Sequence, residues 1–507
     1  MPTFGTYLLE VNWDGDATDF ATGVWTDEIS RHVSSEWGYG RDYASQLTGR
    51  AIAGELVATL KDQDGRFASF NAASALTGKI KPARRVRLRT TAPSAATLWA
   101  GFLDTITPLR DRERGSYAAL SCYGPIGYCA RRDAAVGVKT NRATGAAVGD
   151  VLDDVGWPAA DRTLDTGQIT MTRWAVDKQN SLSALRELEE TEWGFLGESK
   201  AGHVVWEDVH HRLKTPHTAS QATFSDAIGA ALPYVAPMQR DAWREIHNDF
   251  EASVQLWDLQ LLAVLWTDPE VTSVPALGSR DLWVEYPTPS SPEQADHVDA
   301  WTTPVATTDY VANSASDGTG SDLTASVTVA VSKFPRSMKI TLTNAHASLI
   351  AYLTTLRARG TAAYRRDLLT VKAADPASQT AYGKRSYSLG GKFYPTSAVA
   401  LAYCQYGLSR YKEPRPVLEI TFRADWSAAH MTEALTRAVS DRITVVASGT
   451  GASGAQLGLS RDFFVEAIRH RLSQAGHWIT YVLSDATGDE YWALGSSPLG
   501  TGTKLAP

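Results

Sequence analysis

Over the first 125 residues, apolar and polar positions alternate with a period of two, the pattern of strands with one buried face. Residues 54–61 set Leu56, Ala58 and Leu60 against polar or small partners. The same alternation marks 6–12, 86–90, 97–106 and 117–123, and Asp14-Gly15-Asp16 supplies a turn after the first of these. This predicts five or six strands in an antiparallel sheet or small barrel. From about residue 126 the period becomes helical. Val148, Val151, Leu152 and Val155 share a stripe over 144–155, which Gly156 and Pro158 stop. Residues 181–193 repeat the pattern with Leu182, Leu185 and Leu188, with Asn180 placed to cap and Gly194 to close. Glu187, Glu189, Glu190 and Glu192 then read as an acidic, solvated outer face. Residues 195–207 read as a hairpin turning at Lys200-Ala201-Gly202, and the polar stretch 214–220 ends a compact α+β module.

The third region, from about 225, predicts strands at 254–266 and 281–286, with Pro287, Pro289 and Pro292 marking a loop. The polar, Gly-rich stretch 311–322 reads as an exposed excursion. Residues 323–331 and 337–343 alternate strictly, as a hairpin around Lys333-Phe334-Pro335. Residues 347–359 read as an amphipathic helix: Leu349, Tyr352, Leu353 and Leu356 share a face, Asn344 can cap it and Gly360 can end it. A second helix is expected at 396–411, stopped by Pro414. Residues 463–472 fit a helix, or a strand followed by a turn at Gln474-Ala475-Gly476 and a second strand at 477–483; periodicity alone does not separate the two.

The fold class is therefore α+β, β-rich and multidomain. At about 150 residues per domain, 507 residues suggest roughly three domains. With 43% hydrophobic and 21% charged residues, general disorder is excluded. A net charge of −7 argues against a basic nucleic-acid binder. No stretch approaches the roughly 20 apolar residues of a membrane-spanning helix, and Met1-Pro2-Thr3-Phe4-Gly5 does not open like a secretory signal. Cys122, Cys129 and Cys404 are too few and too scattered for a disulfide framework; buried free thiols and synthesis in a reducing cytoplasm are expected.

Each candidate for chemistry has a plainer reading. Gly449-Thr450-Gly451-Ala452-Ser453-Gly454 matches a dinucleotide loop, but a helix should follow it, and Ala455 to Ser460 carry little helical pattern. A flexible turn is expected. Asp62-Gln63-Asp64-Gly65 resembles the start of a calcium loop, but position 12 would be Ala73, so a tight turn is expected. His203, His210, His211 and His217 are the densest imidazole cluster, yet adjacent residues point to different faces and do not chelate together. No carboxylate pair, Cys/His pair or metal set can be nominated for hydrolysis. The expectation is a chain with no catalytic, cofactor-binding or metal-site residues.

Four passages carry a resemblance. They are 56–88, with Val57-Ala58-Thr59-Leu60, Asp64-Gly65-Arg66-Phe67, Asn71 and 76–86; 193–212, WGFLGESKAGHVVWEDVHHR; 351–389, with Arg359-Gly360, Tyr382-Gly383-Lys384-Arg385 and Ser388-Leu389; and Ser440-Asp441-Arg442-Ile443 with Phe463-Phe464-Val465-Glu466, Ile468 and His470. In this order they resemble the tail hub (minor tail, tail-tip) proteins of tailed bacteriophages, related in fold to the hubs of contractile-tail baseplates. The resemblance implies paired strands over 463–483. It also implies two tail-tube-like β-barrel or sandwich domains, at 1–125 and 226–425, a small α+β module at 126–225 and a small C-terminal β-domain at 426–507.

The resemblance further implies a structural, non-enzymatic protein of the virion. It would form a homotrimeric ring that seats on a six-fold tail tube, a symmetry match between closed rings. Its partners would be other copies of itself, the distal tail ring, the tape measure and tip or fibre proteins. DNA would only pass through the channel, past acidic or neutral side chains. The alternatives are a hexameric distal-tail ring protein, a tail-associated cell-wall hydrolase and a carbohydrate-binding module using exposed Trp.

Overall fold

The computed structural model describes residues 5–15, 23–41, 49–111, 115–235, 237–241, 243–285, 295–334, 337–391, 393–447, 458–486, 491–492 and 504–505. The glycine-rich motif at 449–454 and the Pro287, Pro289 and Pro292 loop lie outside them.

Alternation does what the sequence predicts over the first 125 residues. In the Glu55–Lys61 strand, Leu56, Ala58 and Leu60 are fully buried while Glu55, Val57 and Lys61 face solvent. This strand belongs to a 13-stranded sheet. From one edge the sheet runs through Met238–Asp241, Pro416–Arg423, Gly476–Asp485, Leu459–Ser473, His32–Gly40 and Glu55–Lys61. It continues through Gly115–Tyr123, Ala96–Asp111, Arg85–Ala92 and Thr6–Val11 to Thr26–Asp27. Arg442–Ala447 and Thr223–Ser225 extend it from Leu459–Ser473.

The segment that periodicity left open is thus a strand, turning into Gly476–Asp485 at Gly476, whose φ is +130°. Strands from both ends of the chain meet where Ala467 pairs with Gly40. Gly40 sits at φ +117°, where a Cβ would come within 2.4 Å of the Glu466 carbonyl oxygen, so only glycine fits this approach. The core of the sheet gathers Leu9, Leu88, Leu120, Phe422, Phe463 and Tyr481, and the Ala428–Thr436 helix adds Met431 and Ala434. Each such Leu, Phe or Met side chain contributes about 1.5–3 kcal/mol by leaving water.

A second core lies in the module. The Asp133–Ala143 and Thr170–Asn180 strands pair around the Thr144–Asp154 helix, which buries Val148, Val151 and Leu152. The Asn180 side chain caps the Ser181–Glu192 helix by accepting from the Ser183 N–H at 3.3 Å. The left-handed residue that ends this helix is Trp193 (φ 55°), one position before the expected Gly194. The Phe195–Glu198 and Val204–Glu207 hairpin follows as predicted and adds Arg162–Leu164 as a third strand. This core continues into Phe250 of Asp249–Val254 and Tyr403 and Tyr406 of the Ser397–Tyr411 helix. A third core, with Val298, Trp301, Ile340, Leu353 and Leu356, lies within residues 257–365.

Four expectations need correction. The 347–359 helix is a strand, Ala351–Arg365, which pairs with five shorter strands. Its register shifts where Val311 pairs with Thr355 and Ala312 with Leu353. That bulge turns both Leu353 and Leu356 inward, so a strand acquires the three-residue spacing of a helix. Asn344 caps a turn instead: its side chain donates to the Val274 and Leu349 carbonyls and accepts from the His346 N–H. The 254–266 strand is three pieces, Asp249–Val254, Trp257–Leu259 and Ala263–Thr267. The 311–322 excursion is exposed over 316–322 as expected, but its first residues belong to the buried strand Tyr310–Asn313, and the Asn313 side chain ties the loop by donating to the Gly318 and Gly320 carbonyls. The acidic face of 181–193 is the fourth: Glu189 and Glu192 are buried.

Candidate functional site

The charged residues concentrate where the module meets the main sheet. Glu466 is the one charge in the run Phe463-Phe464-Val465-Glu466-Ala467-Ile468, and its side chain is fully buried. A strand so apolar tolerates a carboxylate only with partners. Arg212, from the end of the module, supplies them: Nη1 donates to Oε1 at 2.7 Å and Nη2 to Oε2 at 2.8 Å. Arg41 places Nε 2.9 Å from Oε2, and the Ser484 hydroxyl donates to Oε1 at 2.5 Å. Burial works against this charge, yet Arg212 and Arg41 outweigh it and hold Glu466 down at about 2. Ser440 continues the network, accepting from Arg212 Nε at 3.1 Å and donating to Glu207 at 2.5 Å. Five distant chain segments are thus clasped at one point.

The buried acids of the module are held differently. Glu192 accepts from the Gln168 and Ile169 N–H groups and the Thr144 hydroxyl, at 2.7–3.0 Å. Glu198 accepts from the Ile126 N–H at 3.0 Å, and Glu189 from the Leu196 N–H at 2.9 Å. Burial is the dominant influence on all three and pushes each carboxyl up to about 7. Glu198 fills the space that a Cβ on Gly54 or Gly124 would need, so it packs directly on the chain entering the sheet.

A third cluster is uncharged. Tyr7 OH lies 3.0 Å from His477 Nδ1, and His477 Nε2 lies 3.0 Å from His470 Nδ1. The His470 ring stacks on Trp37 at 4.7 Å. Burial drives both imidazoles toward the neutral form, His477 down to about 4.

The residues singled out in the sequence scatter. His211 meets Asp165 (2.8 Å) and Glu207 (3.6 Å), and its ring lies 4.7 Å from that of His217, which faces Asp441. His203 stands apart near Asp161. Among the described residues no group of three or more His, Cys, Asp or Glu is placed to hold a metal. Asp62 closes a turn by accepting from the Phe67 N–H, with Gly65 at φ 68°. Cys122, Cys129 and Cys404 are buried, and burial pushes the thiols of Cys129 and Cys404 up to about 12, far from thiolate reactivity. What these clusters provide is clasps that join distant segments of the chain. Sequence reasoning missed the Glu466 clasp; its signal was the lone charge in an apolar run.

Neither a family model nor a curated protein matches the chain. Among solved structures, it is similar to a tail protein from Neisseria meningitidis, at 8% identity and a TM-score of 0.50, over 95% of this chain and 96% of that one. A 43 kDa tail protein of a Shewanella oneidensis prophage aligns over 94% of this chain and 97% of its own, at 12% identity and a TM-score of 0.47. The first likeness shows the fold: this chain has the multidomain, β-rich fold of a tail protein. No described helix is long and apolar enough to cross a membrane.

Proposed function

We propose that this protein is a structural hub of a phage tail tip, assembled as a homotrimeric ring between the tail tube and the distal tip. The observation that carries the reading is the end-to-end correspondence of fold with a tail protein. Two tube-like β units per chain, one begun by 1–125 and one within 226–425, would present six units per trimer to a six-fold tube. In this reading the 126–225 module and the 426–507 range are the parts that meet neighbours, with one refinement. The strands at 442–485 lie in the sheet begun by 1–125, so these two ranges would move as one body. The distal tail ring, tape measure and tip or fibre proteins are the proposed partners, the virion's tail tip the location, and DNA a passenger in the channel.

The protein acts by shape and contact, not by catalysis. The buried ionic clasps support this: they fix the module to the sheet by pairing their charges with one another. Electron microscopy of the purified protein tests the reading. Three-fold class averages with a central opening are expected. Six-fold rings would move the assignment to a distal-tail ring protein, and lysis in a peptidoglycan zymogram would move it to a hydrolase.

A further inference from the structure

A groove of about 1120 Å³ opens on the outer face of the main sheet, against the helices of the module. Its floor is two rows of side chains running across five strands in register. One row is Thr421, Thr480, Arg469, Gly38 and Glu55; the next is Trp478, Arg471, Glu36 and Val57. Gly38 interrupts the first row and leaves a gap between Arg469 and Glu55. Leu182 and Arg186 of the Ser181–Glu192 helix line the module side, with Ile126 and Ile52. Ile52 is 41% and Val57 46% exposed, so apolar surface stands in water here with nothing over it.

The charge of the groove runs against that of the molecule. The chain carries −7 overall, yet the groove sets Arg50, Arg186, Arg469 and Arg471 against only Glu36 and Glu55. Arg471 is paired with Glu36 at 3.2 Å, and Arg50 with Glu190. Arg186 and Arg469 have no ion pair among the described residues. Guanidiniums without an ion pair beside exposed aliphatic surface are the makings of an interface that takes carboxylates around an apolar anchor.

We propose that this groove binds an extended acidic segment of a partner protein, with a bulky apolar side chain on Ile52 and Val57 and flanking carboxylates on Arg186 and Arg469. Nucleic acid fits less well, because the aliphatic floor would meet nothing apolar on a sugar–phosphate backbone. The inference stands on the groove alone and does not depend on the tail-tip reading.

The test is a displayed library of random dodecapeptides sorted against the full chain. Sequences with Asp or Glu around Leu, Phe or Trp should be enriched. The binding of a peptide so selected should fall more than about tenfold in the R186E/R469E double variant, as the loss of charge-assisted bonds predicts. It should also fall in V57N. Arg469 is exposed and Arg186 half-buried, so thermal melting should stay close to the parent; R186Q/R469Q, which removes charge without reversing it, should give a smaller loss in the same direction. Basic or charge-indifferent peptides, or no enrichment at all, would overturn the proposal. So would duplex DNA that binds the parent and not R186E/R469E, or self-association in sedimentation that R469E abolishes; these would reassign the groove to nucleic acid or to a second copy.

Discussion

The seam between module and sheet and the interior of the module both bury carboxylates, and the two settings treat them oppositely. Glu466 and Glu192 are equally out of water. Glu466 faces two guanidiniums and stays ionised to about pH 2, whereas Glu192 faces two amides and a hydroxyl and takes up a proton near pH 7. Burial alone therefore does not fix the charge of a group; the formal charge of its partner does. Thr144 suits Glu192 to either state, because a hydroxyl can donate to the carboxylate or accept from the acid.

The sharpest way to break this comparison is to remove the charge at the seam. Glu466→Gln takes from the buried Arg41 and Arg212 the carboxylate that both contact and should cost about 3–5 kcal/mol, read as an earlier urea transition. The pH dependence of stability separates the settings next. Glu189, Glu192 and Glu198 have folded values raised above the unfolded 4.5, so their contribution is complete below about 4.5 and is lost as pH rises through about 7. Melting temperature should fall across that window, and Glu192→Gln, which cannot ionise, should flatten the fall.

The His470–His477 pair supplies the opposite slope. A folded value for His477 lowered from 6.5 to about 4 gives stability that is complete above 6.5 and is lost as pH falls toward 4. Replacing His477 with Gln should remove that acid-side loss and leave the alkaline-side loss unchanged. Smallest is a control within the module that touches no carboxylate: Asn180→Ala removes a helix cap and should cost about 1 kcal/mol at every pH. A pH-dependent cost there would undo the assignment of the slopes to the buried acids.

Much of the fold was legible because burial on one face imposes a period of two, as in Leu56, Ala58 and Leu60. The helices at Thr144–Asp154, Ser181–Glu192 and Ser397–Tyr411 were legible for the matching reason. What misled was local irregularity. One bulge gave Ala351–Arg365 a helical spacing, and the strand His32–Gly40 went unseen because Ser34, Ser35, Glu36 and Gly38 dilute its apolar positions. The site was less legible than the fold. Glu189 and Glu192 have the composition of a solvated face, and only the amides of Leu196, Gln168 and Ile169, brought in by other segments, make their burial tolerable. Arg212 and Glu466 meet across more of the chain than any spacing rule spans.

The pairing of Gly40 with Ala467 also sets a schedule for synthesis. The two residues are roughly 430 apart, and a ribosome adding about 5–20 residues per second needs roughly 20–90 s to travel between them. Throughout that interval the emerging His32–Gly40 strand has one unzipped edge, with Trp37 and Tyr39 still without the strand that will cover them. A nascent chain in that condition is a template for any neighbouring polypeptide on the same polysome. Slower growth at low temperature lengthens the exposure, and a holdase that occupies the edge shortens its consequences.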